Sequence, residues 1–431
     1  MSQLKQSTGK YARTMGTFGV LLLVVNGLIG AGIFGLPEVL HEAVGTFAPW
    51  LLLLGGILVG CIAICFAQLT SLTDRSGGPQ RFTTDAFGRF PGFQVGWLFY
   101  SARVVSDGAN VLVLLAYAAA IWPLMEGGLA QDIAIVAIVG AITIVNIVGL
   151  KNVVAVLGTM TIFKLVPLFV LIVVGLGAAA APGPVVLPQV SAVEGIALAA
   201  LYAFVGFENA TIPAGETKNP QRAMPRALLT GLAFVTLVYF ALQWAYSLSP
   251  LAGSGAEAPL AALAGNLGGE IGTILLSATV VVSVLANLTA GQTSASRMTP
   301  ALADDQLLPA WFGKVGRFGT PVNAIVFHGV LGILFALTGT FLELAIVSTL
   351  ARLLAYVASI CSLPILRREA GRRAITLPLA LVMGIALALS LWLSAQADQQ
   401  RWIMLAIFAA VGTGLYFIAR REPQPVPDAN A

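Results

Sequence analysis

Ionisable side chains lie well inside the apolar stretches of this sequence, among them Arg103, Asp107, Lys164, Glu208 and Arg352. Charges inside such stretches must be paired or must face a cavity. Arg103 and Asp107 are one helical turn apart, so they can pair along one helix. The sequence contains no HExxH, no Walker loop and no Ser/His/Asp set at a shared depth. The chemistry of these residues is therefore noncovalent binding, and we expect no enzyme activity.

The first apolar segment contains the glycine-rich stretch NGLIGAGIFGLPE, from Asn26 to Glu38. Glycine costs roughly 1 kcal/mol and proline about 3 kcal/mol relative to alanine inside a helix, so the stretch predicts a helix break. Irregular backbone at membrane depth is tolerated where protein buries it or where it lines a cavity. A helix that restarts near Ile33 presents free N–H groups to an anion. These groups belong to Gly30, Ala31, Gly32 and Ile33.

A second break is predicted between Ala200 and Glu216, where Glu208 and Pro213 interrupt an apolar segment. Its free carbonyl oxygens suit an ammonium group, and they belong to the run Tyr202, Ala203, Phe204 and Val205. An anion site beside an ammonium site matches the zwitterion of an α-amino acid. Two broken helices in corresponding positions of two halves are typical of a transporter's binding site. The alternative is that the glycines only allow close helix packing.

The composition is that of a polytopic membrane protein. Of 431 residues, 58% are hydrophobic and 10% are charged, with a mean hydropathy of +0.90. Soluble proteins carry about 25% charged residues. Twelve apolar segments are predicted, most of them with the roughly 20 residues needed to cross a lipid bilayer. Their bounds are 17–40, 47–72, 92–123, 130–149, 152–180, 191–216, 225–249, 268–296, 322–341, 343–366, 375–396 and 402–420.

The basic residues favour one orientation. With cytoplasmic N- and C-termini, 19 of the 23 Lys and Arg residues lie in cytoplasmic segments, and only Arg401 lies in an outer loop. This bias predicts an even number of spans. It also accounts for the net charge of +4, so we expect no nucleic-acid partner. Three cysteines at membrane depth and two histidines suggest neither a disulfide nor a metal site, and no cofactor is expected.

Three motifs give the chain a resemblance to amino acid permeases of the amino acid–polyamine–organocation (APC) superfamily. GLIGAGIFGLP resembles the first-span motif, and AFVGFENATIPAGETKNPQRAMPRAL resembles the sixth-span signature. TAGQTSASRMTPALADDQLLP resembles the end of the eighth span and the loop after it. The resemblance covers essentially the whole chain. It implies alternating access, without ATP, by rocking of a helix bundle against a scaffold.

The fold implied by the resemblance is all-α. It has twelve transmembrane helices, arranged as a leucine-transporter-type 5+5 inverted repeat plus two extra helices, with helices 1 and 6 broken. The expected units are a cytoplasmic N-terminal tail at 1–16, a first five-helix repeat at 17–180, a second inverted repeat at 191–366, helices 11 and 12 at 375–420 and a cytoplasmic C-terminal tail at 421–431.

The resemblance also implies roles for individual residues. The carboxylate-binding loop falls on Gly30, Ala31 and Gly32, and the amine-binding carbonyls fall on Leu28 and on residues 202–205. The gating aromatic at the sixth-span break is Tyr202 or Phe204. Glu208 is expected to bridge the broken segment to neighbouring spans.

Lys164 lies too deep in its segment to reach the membrane surface. It resembles the fifth-span lysine that, in sodium-independent members, occupies the place of a sodium ion beside the first-span break. We therefore expect sodium-independent transport, in which Lys164 either links transport to a proton or serves as a fixed charge in an exchanger.

Two interpretations of the remaining charges stay open. In the first, Arg103, Asp107 and Arg352 satisfy one another as a structural network or an internal gate, with Tyr356 one turn after Arg352. In the second, Asp107 recognises a cationic substrate side chain, or Arg352 recognises an anionic one. We favour neutral substrates, because opposite charges are mutually available. A cationic amino acid or polyamine antiporter is the alternative.

Other polar residues have weaker assignments. Ser283, Asn287 and Thr289 are candidate lining residues of the pocket for the substrate's side chain. His328 is expected to pack against other helices or to face lipid.

The expected function is secondary active transport of an amino acid, proton-coupled or by exchange, across a bacterial inner membrane. An ion channel is an alternative of a different class, but paired helix breaks favour a carrier. The identity of the amino acid, the direction of transport and a homodimeric assembly are left open.

Overall fold

The computed structural model describes residues 15–72, 77–149, 153–179, 183–212, 217–372 and 375–422. Fourteen α-helices form most of this part of the chain, which contains no β-strand and has one isolated β-bridge, between Met15 and Thr217. The helices are α1 Thr17–Leu28, α2 Ala31–Val44, α3 Ala48–Thr70, α4 Gly78–Phe87, α5 Arg89–Ala119, α6 Gly128–Val148, α7 Val153–Ala178, α8 Val190–Tyr202, α9 Pro220–Ser247, α10 Pro259–Asp304, α11 Val322–Thr338, α12 Phe341–Glu369, α13 Leu377–Ala395 and α14 Gln399–Arg421.

The two predicted helix breaks are confirmed. The first apolar segment forms α1 and α2, separated by Ile29 and Gly30. The sixth segment forms α8 and then, after a turn, the short 3₁₀ helix Phe207–Thr211. Each of the other predicted segments corresponds to one α-helix.

Several bounds differ from the prediction. α9 begins at Pro220 rather than 225, and α10 runs from Pro259 to Asp304 rather than over 268–296. Both begin with proline in the first turn, where its fixed φ suits a helix start and its missing N–H is not needed. α10 is interrupted at Gly269, which has φ 63°, so its first turns form a separate short helix. The short helix α4 was not predicted.

Nine helical stretches of the described chain are long and apolar enough to cross a membrane. Three shorter apolar helical stretches accompany them: Thr17–Leu28, which is α1, Phe163–Ala178 within α7, and Val322–Thr338, which is α11. The protein is therefore an all-helical, multi-pass membrane protein. The exact number of twelve spans remains a proposal.

Helix α5 is the most buried of the nine candidate membrane-spanning stretches. In its most apolar window 89% of the residues are buried, against 17% for α6. α5 packs against α10, α11, α12 and α14. Polar residues on α5 are therefore held inside the protein, whereas most of the apolar surface of α6 is left outward, as contact with lipid requires.

Candidate functional site

The break in the first segment is short. α1 ends at Leu28, Ile29 has φ −79° and ψ 78°, and Gly30 is extended with φ −114° and ψ −151°. The N–H of Ile29 still donates to the carbonyl of Val25 at 2.9 Å, and the N–H of Gly30 donates to the carbonyl of Leu28 at 2.9 Å. The chain therefore changes direction within two residues, and α2 restarts at Ala31.

The start of α2 presents fewer free N–H groups than expected. The N–H of Ala31 donates to Asn110 Oδ1 at 3.0 Å, so an α5 side chain caps α2. Gly30 uses its N–H within the turn. The prediction of four unpaired groups is therefore wrong for Gly30 and Ala31. Gly32 and Ile33 lie in the first turn of α2, where N–H groups have no partner within the helix. The substrate-binding role of all four residues stays a prediction.

The break in the sixth segment lies against the first. Gly206 has φ 111°, a conformation that favours glycine. A Cβ added to Gly206 would lie 2.3 Å from the carbonyl oxygen of Gly27, and one added to Gly27 would lie 2.5 Å from that of Gly206. A Cβ on Gly32 would lie 2.9 Å from Cα of Ala203. The two breaks are thus in direct backbone contact, which only small residues permit.

Some of the carbonyls expected to bind an amine have partners within the protein. The carbonyl of Leu28 accepts a hydrogen bond from Tyr239 Oη at 2.6 Å. The carbonyl of Tyr202 accepts from the N–H of Val205 at 3.4 Å. A role for these carbonyls in amine binding stays a prediction.

Lys164 lies directly against the first break. It is 3% exposed, and its Nζ donates to the carbonyl of Ile29 at 3.0 Å. Ile29 is the residue that directly follows α1 at the break. The ammonium thus compensates a carbonyl freed by the break, while its roles in proton coupling or as a fixed charge stay predictions.

The two candidate gating aromatics occupy different surroundings. Tyr202 Oη is 3.0 Å from Ser106 Oγ on α5, and its ring meets that of Phe341 edge-on at 6.0 Å. Phe204 instead faces Tyr239, with ring centroids 5.6 Å apart. Tyr202 thus contacts α5, whereas Phe204 contacts α9, and which of the two forms the gate stays a prediction.

A first buried charge cluster joins α5, α10 and α11. Asp107 Oδ1 is 2.8 Å from Arg103 Nη2, and Asp107 Oδ2 is 2.8 Å from His328 Nε2. Arg103 Nη2 also donates to the carbonyl and to Oδ1 of Asn287, at 2.9 and 3.1 Å. Asn287 in turn donates to the carbonyl of Asn26 at 3.2 Å. The cluster therefore connects to the end of α1.

A second buried charge cluster joins the sixth-segment break to α12. Arg352 Nε is 3.2 Å from Glu208 Oε1, and Tyr356 Oη donates to Glu208 Oε2 at 2.8 Å. Glu208 Oε2 also accepts the N–H of Gly206 at 2.8 Å. Glu208 thus makes the predicted bridge between the broken segment and a neighbouring helix.

This pairing corrects the expected charge network. In the first of the two interpretations, Arg352 belongs to one network with Arg103 and Asp107, but in the structure its partner is Glu208. Asp107 is paired instead with Arg103 and with His328, and His328 is not lipid-facing, since it is 2% exposed. Pairing depends on how α5, α11 and α12 cross, which the spacing of charges along the sequence does not specify.

Comparison with known proteins identifies the family. The family model of amino acid permeases matches residues 15–427. The chain belongs to the amino acid permease family. This family lies within the APC superfamily, as its three motifs suggested, and its members are transporters rather than enzymes.

The names of two relatives of this permease state different transport activities. It is 30% identical over 386 residues to the serine/threonine exchanger SteT of Bacillus subtilis (strain 168), covering 85% of this chain and 86% of the relative. It is 28% identical over 336 residues to the cadaverine/lysine antiporter of Escherichia coli (strain K12), covering 74% and 73%. It is also 28% identical over 430 residues to an uncharacterized transporter of Mycobacterium bovis, covering 89% of each.

Sequence reasoning missed Glu38, whose carboxylate binds the loop between α9 and α10 of this permease. Glu38 lies on α2 and is 4% exposed. Its carboxylate accepts the N–H of Gly253 at 3.0 Å, the N–H of Gly255 and the hydroxyl of Tyr246. A carboxylate directly after the GIFGLP motif, inside the first apolar segment, was the signal that could have identified it.

Asn110 and Gly291 were missed because neither is charged. Asn110 caps α2, although nothing distinguishes it in the sequence from other polar residues of an apolar helix. A Cβ on Gly291 would lie 1.5 Å from Arg103 Nη2, so this glycine makes room for the guanidinium against the backbone of α10. Of the predicted pocket residues, Asn287 lies at the junction of α5, α10 and α1, whereas Thr289 donates within its own helix to Leu285.

Proposed function

We propose that this permease moves neutral amino acids across the bacterial plasma membrane by alternating access, without sodium. The carried zwitterion binds between the two helix breaks, its carboxylate at the N–H groups that open α2 and its ammonium at carbonyls of the sixth-segment break. The direct contact between the two breaks is the observation that carries this proposal, because it places both sets of freed backbone groups in one region.

Charge pairing supports a neutral substrate. Asp107 already has two cationic or hydrogen-bonding partners, and Arg352 is paired with Glu208. A substrate with a charged side chain would have to displace one of these partners. Removing one partner of a buried ion pair costs about 3–5 kcal/mol, which a neutral side chain avoids.

Lys164 supports independence from sodium. Its ammonium already meets the carbonyl of Ile29 at the first break. A sodium ion at this carbonyl would have to share the position with a buried cation, and two like charges repel strongly in a site of low dielectric constant. Coupling to a proton or exchange of one amino acid for another is therefore the proposed source of driving force.

Helix packing supports the inverted-repeat fold with twelve spans. The repeat makes α3 equivalent to α9, α5 to α10, and α6 to α11. Each of these pairs is in direct contact, as expected for helices near a pseudo-two-fold axis. The distribution of basic residues supports cytoplasmic termini.

A cationic amino acid or polyamine antiporter is the second candidate. The similarity to a cadaverine/lysine antiporter favours it, and Asp107 is the carboxylate that such a substrate would use. This candidate requires Arg103 to leave Asp107 when the substrate binds.

Counterflow in reconstituted vesicles tests the proposal. Vesicles are preloaded with one unlabelled amino acid at a time or with cadaverine, and entry of labelled L-serine and labelled L-lysine is measured with sodium or choline outside. We expect neutral amino acids to accelerate entry of a neutral label, with the same rate in both buffers. Gly140→Ala is the control, since its Cβ meets nothing within 4 Å.

Two outcomes contradict the proposal. Exchange of lysine and cadaverine alone, abolished by Asp107→Asn in a protein that still folds, favours the antiporter of cations. Uptake that requires sodium contradicts the proposed role of Lys164.

A further inference from the structure

The loop between α9 and α10, residues 248–258, presents two main-chain donors to one carboxylate. Gly253 and Gly255 have φ 83° and 74°, conformations that favour glycine. The N–H of Gly253 donates to Glu38 Oε2 at 3.0 Å, and the N–H of Gly255 donates to Glu38 Oε1. The hydroxyl of Tyr246 on α9 also donates to Oε2. The sequence GSG thus forms a small backbone site for an anion, and the Glu38 carboxylate occupies it.

Glu38 directly follows a weak point of α2. Pro37 lies inside this helix and has no N–H, so it cannot donate to the carbonyl of Ile33 four residues earlier. The carbonyl of Pro37 accepts a hydrogen bond from Gln243 Nε2 of α9 at 3.0 Å. The second half of α2 is therefore joined less firmly to its first turns. Its position depends on bonds from neighbouring elements, among which the loop is one.

The end of the loop is tied to α2 through α5. Tyr117 Oη accepts the N–H of Leu260 at the start of α10 at 3.2 Å, and it donates to the carbonyl of Phe34 in α2 at 2.9 Å. The start of α12 meets the same part of α2, because a Cβ on Gly35 would lie 2.7 Å from the ring of Phe341. The loop, α2, α5 and α12 are therefore connected on one side of the two helix breaks.

The charge of Glu38 is held by neutral donors. Glu38 is 4% exposed, and none of the residues described by the structure forms an ion pair with it. Removing a carboxylate from water costs free energy, which the three hydrogen bonds offset while the loop is closed. Water would hydrate the carboxylate again if the loop moved away. The closed and released arrangements are therefore closer in free energy than they would be if an apolar contact had to be exposed to water.

We propose that Glu38 is a gating residue, which holds the α9–α10 loop closed on the outer side of the binding region. The loop contains no Lys or Arg, and the distribution of basic residues predicts that it faces outward. Release of Gly253 and Gly255 opens the path from outside to the two helix breaks, and their return closes it before the permease opens to the cytoplasm. Glu38 acts on the loop and not on the amino acid, so it is a positioning residue. This inference rests on the proposed transport by alternating access.

Cysteine labelling from one side of the membrane tests the gate. Ala345 is 0% exposed and lies on α12, one turn after Phe341 and two turns before Arg352. A thiol at this position lies between the outer contact of Phe341 and the inner ion pair of Arg352 with Glu208. Ala345→Cys is made in a protein whose three own cysteines are replaced by alanine. A membrane-impermeant methanethiosulfonate is applied to intact cells and, separately, to inverted membrane vesicles.

Glu38→Gln should be labelled about tenfold faster from outside, the change in an equilibrium constant that corresponds to the loss of one hydrogen bond to a charged group. The amide keeps the size of the side chain, but its NH₂ group faces an N–H of the loop and cannot accept it. Labelling from inside should not accelerate, because the population shifts toward the outward-open state. Glu42→Gln is the matched control, since Glu42 lies one turn further along α2 and is exposed. It should be labelled at the unmodified rate.

Counterflow of labelled L-serine provides the second measurement. The apparent affinity for an external amino acid rises in proportion to the fraction of the permease that is open to the outside. In Glu38→Gln, the external concentration that gives half the maximal rate should therefore fall. The maximal rate should fall as well, because closure of the loop precedes opening to the cytoplasm. A purely structural role would lower the maximal rate without lowering that concentration.

The outcomes distinguish this inference from the proposed function. Labelling of Glu38→Gln at the unmodified rate, or an equal acceleration from both sides, overturns the gate. If Glu38→Gln does not fold, Tyr246→Phe decides, since it removes one donor to the carboxylate and should accelerate labelling from outside alone; an unchanged rate overturns the gate. Labelling requires no substrate, so absence of counterflow for every neutral amino acid overturns the proposed function instead.

Discussion

Gly291→Ala should displace the guanidinium of Arg103, a residue of α5, from its position against the backbone of α10. The new Cβ would lie 1.5 Å from Nη2 and 2.0 Å from Cζ of Arg103, well inside van der Waals contact. The guanidinium is the end of a flexible side chain, so it moves more easily than α10. When it moves, it loses two hydrogen bonds to Asn287 and its 2.8 Å contact with Asp107.

The cost follows from those contacts. A hydrogen bond to a charged group contributes about 1.5–3 kcal/mol, and Asp107 keeps His328 as a partner. We therefore expect the free energy of unfolding to fall by about 3 kcal/mol rather than by the full penalty of an unpaired buried charge. Counterflow should fall with it, since Asn287 then holds the end of α1 without support from Arg103.

The assay is unfolding of the purified protein in mild detergent, combined with counterflow in vesicles. The matched control is Gly140→Ala, also a glycine within a membrane helix, whose Cβ meets nothing within 4 Å. In an Arg103→Ala background, Gly291→Ala should cost less than about 1 kcal/mol, because there is no guanidinium to displace. An equal cost in both backgrounds would refute the reasoning.

Three further predictions concern the breaks. Gly27→Ala should destabilise the protein by about 1–3 kcal/mol, measured by unfolding, because its Cβ meets the backbone of Gly206 at 2.5 Å and neither chain can yield. Lys164→Met should abolish uptake while changing the free energy of unfolding by less than about 2 kcal/mol, since it removes a costly buried charge together with one hydrogen bond to Ile29. A sodium requirement for uptake by the unmodified protein would contradict the proposed role of Lys164. Glu208→Gln should cost about 3–5 kcal/mol, because it leaves a buried arginine without its carboxylate, and wild-type thermal stability would contradict the pairing.

The sequence was sufficient to predict features that depend on local composition. Glycine and proline lower helix stability inside a helix, so the breaks near Gly30 and Gly206 could be located without knowledge of any neighbour. The long apolar segments follow from the requirement to cross lipid. The position of Lys164 beside the first break came from the family resemblance, and the ammonium does lie there.

Features that depend on how helices cross were not predictable. Glu208 and Asp107 both offer a carboxylate to Arg352, and only the packing of α12 beside the sixth-segment break decides for Glu208. His328 has the same apolar neighbours in sequence whether it faces lipid or α5. Asn110 caps α2 from 79 positions away in the chain, a separation over which sequence patterns carry no signal.

The contact of Glu38 with the loop between α9 and α10 leaves the side chain at one loop position unconstrained. Glu38 recognises main-chain N–H groups of Gly253 and Gly255, so the side chain between them takes no part in the contact. Ser254 occupies that position and is exposed. A spectroscopic label placed there would report release of the loop from α2 during turnover without disturbing the bonds that hold the loop closed.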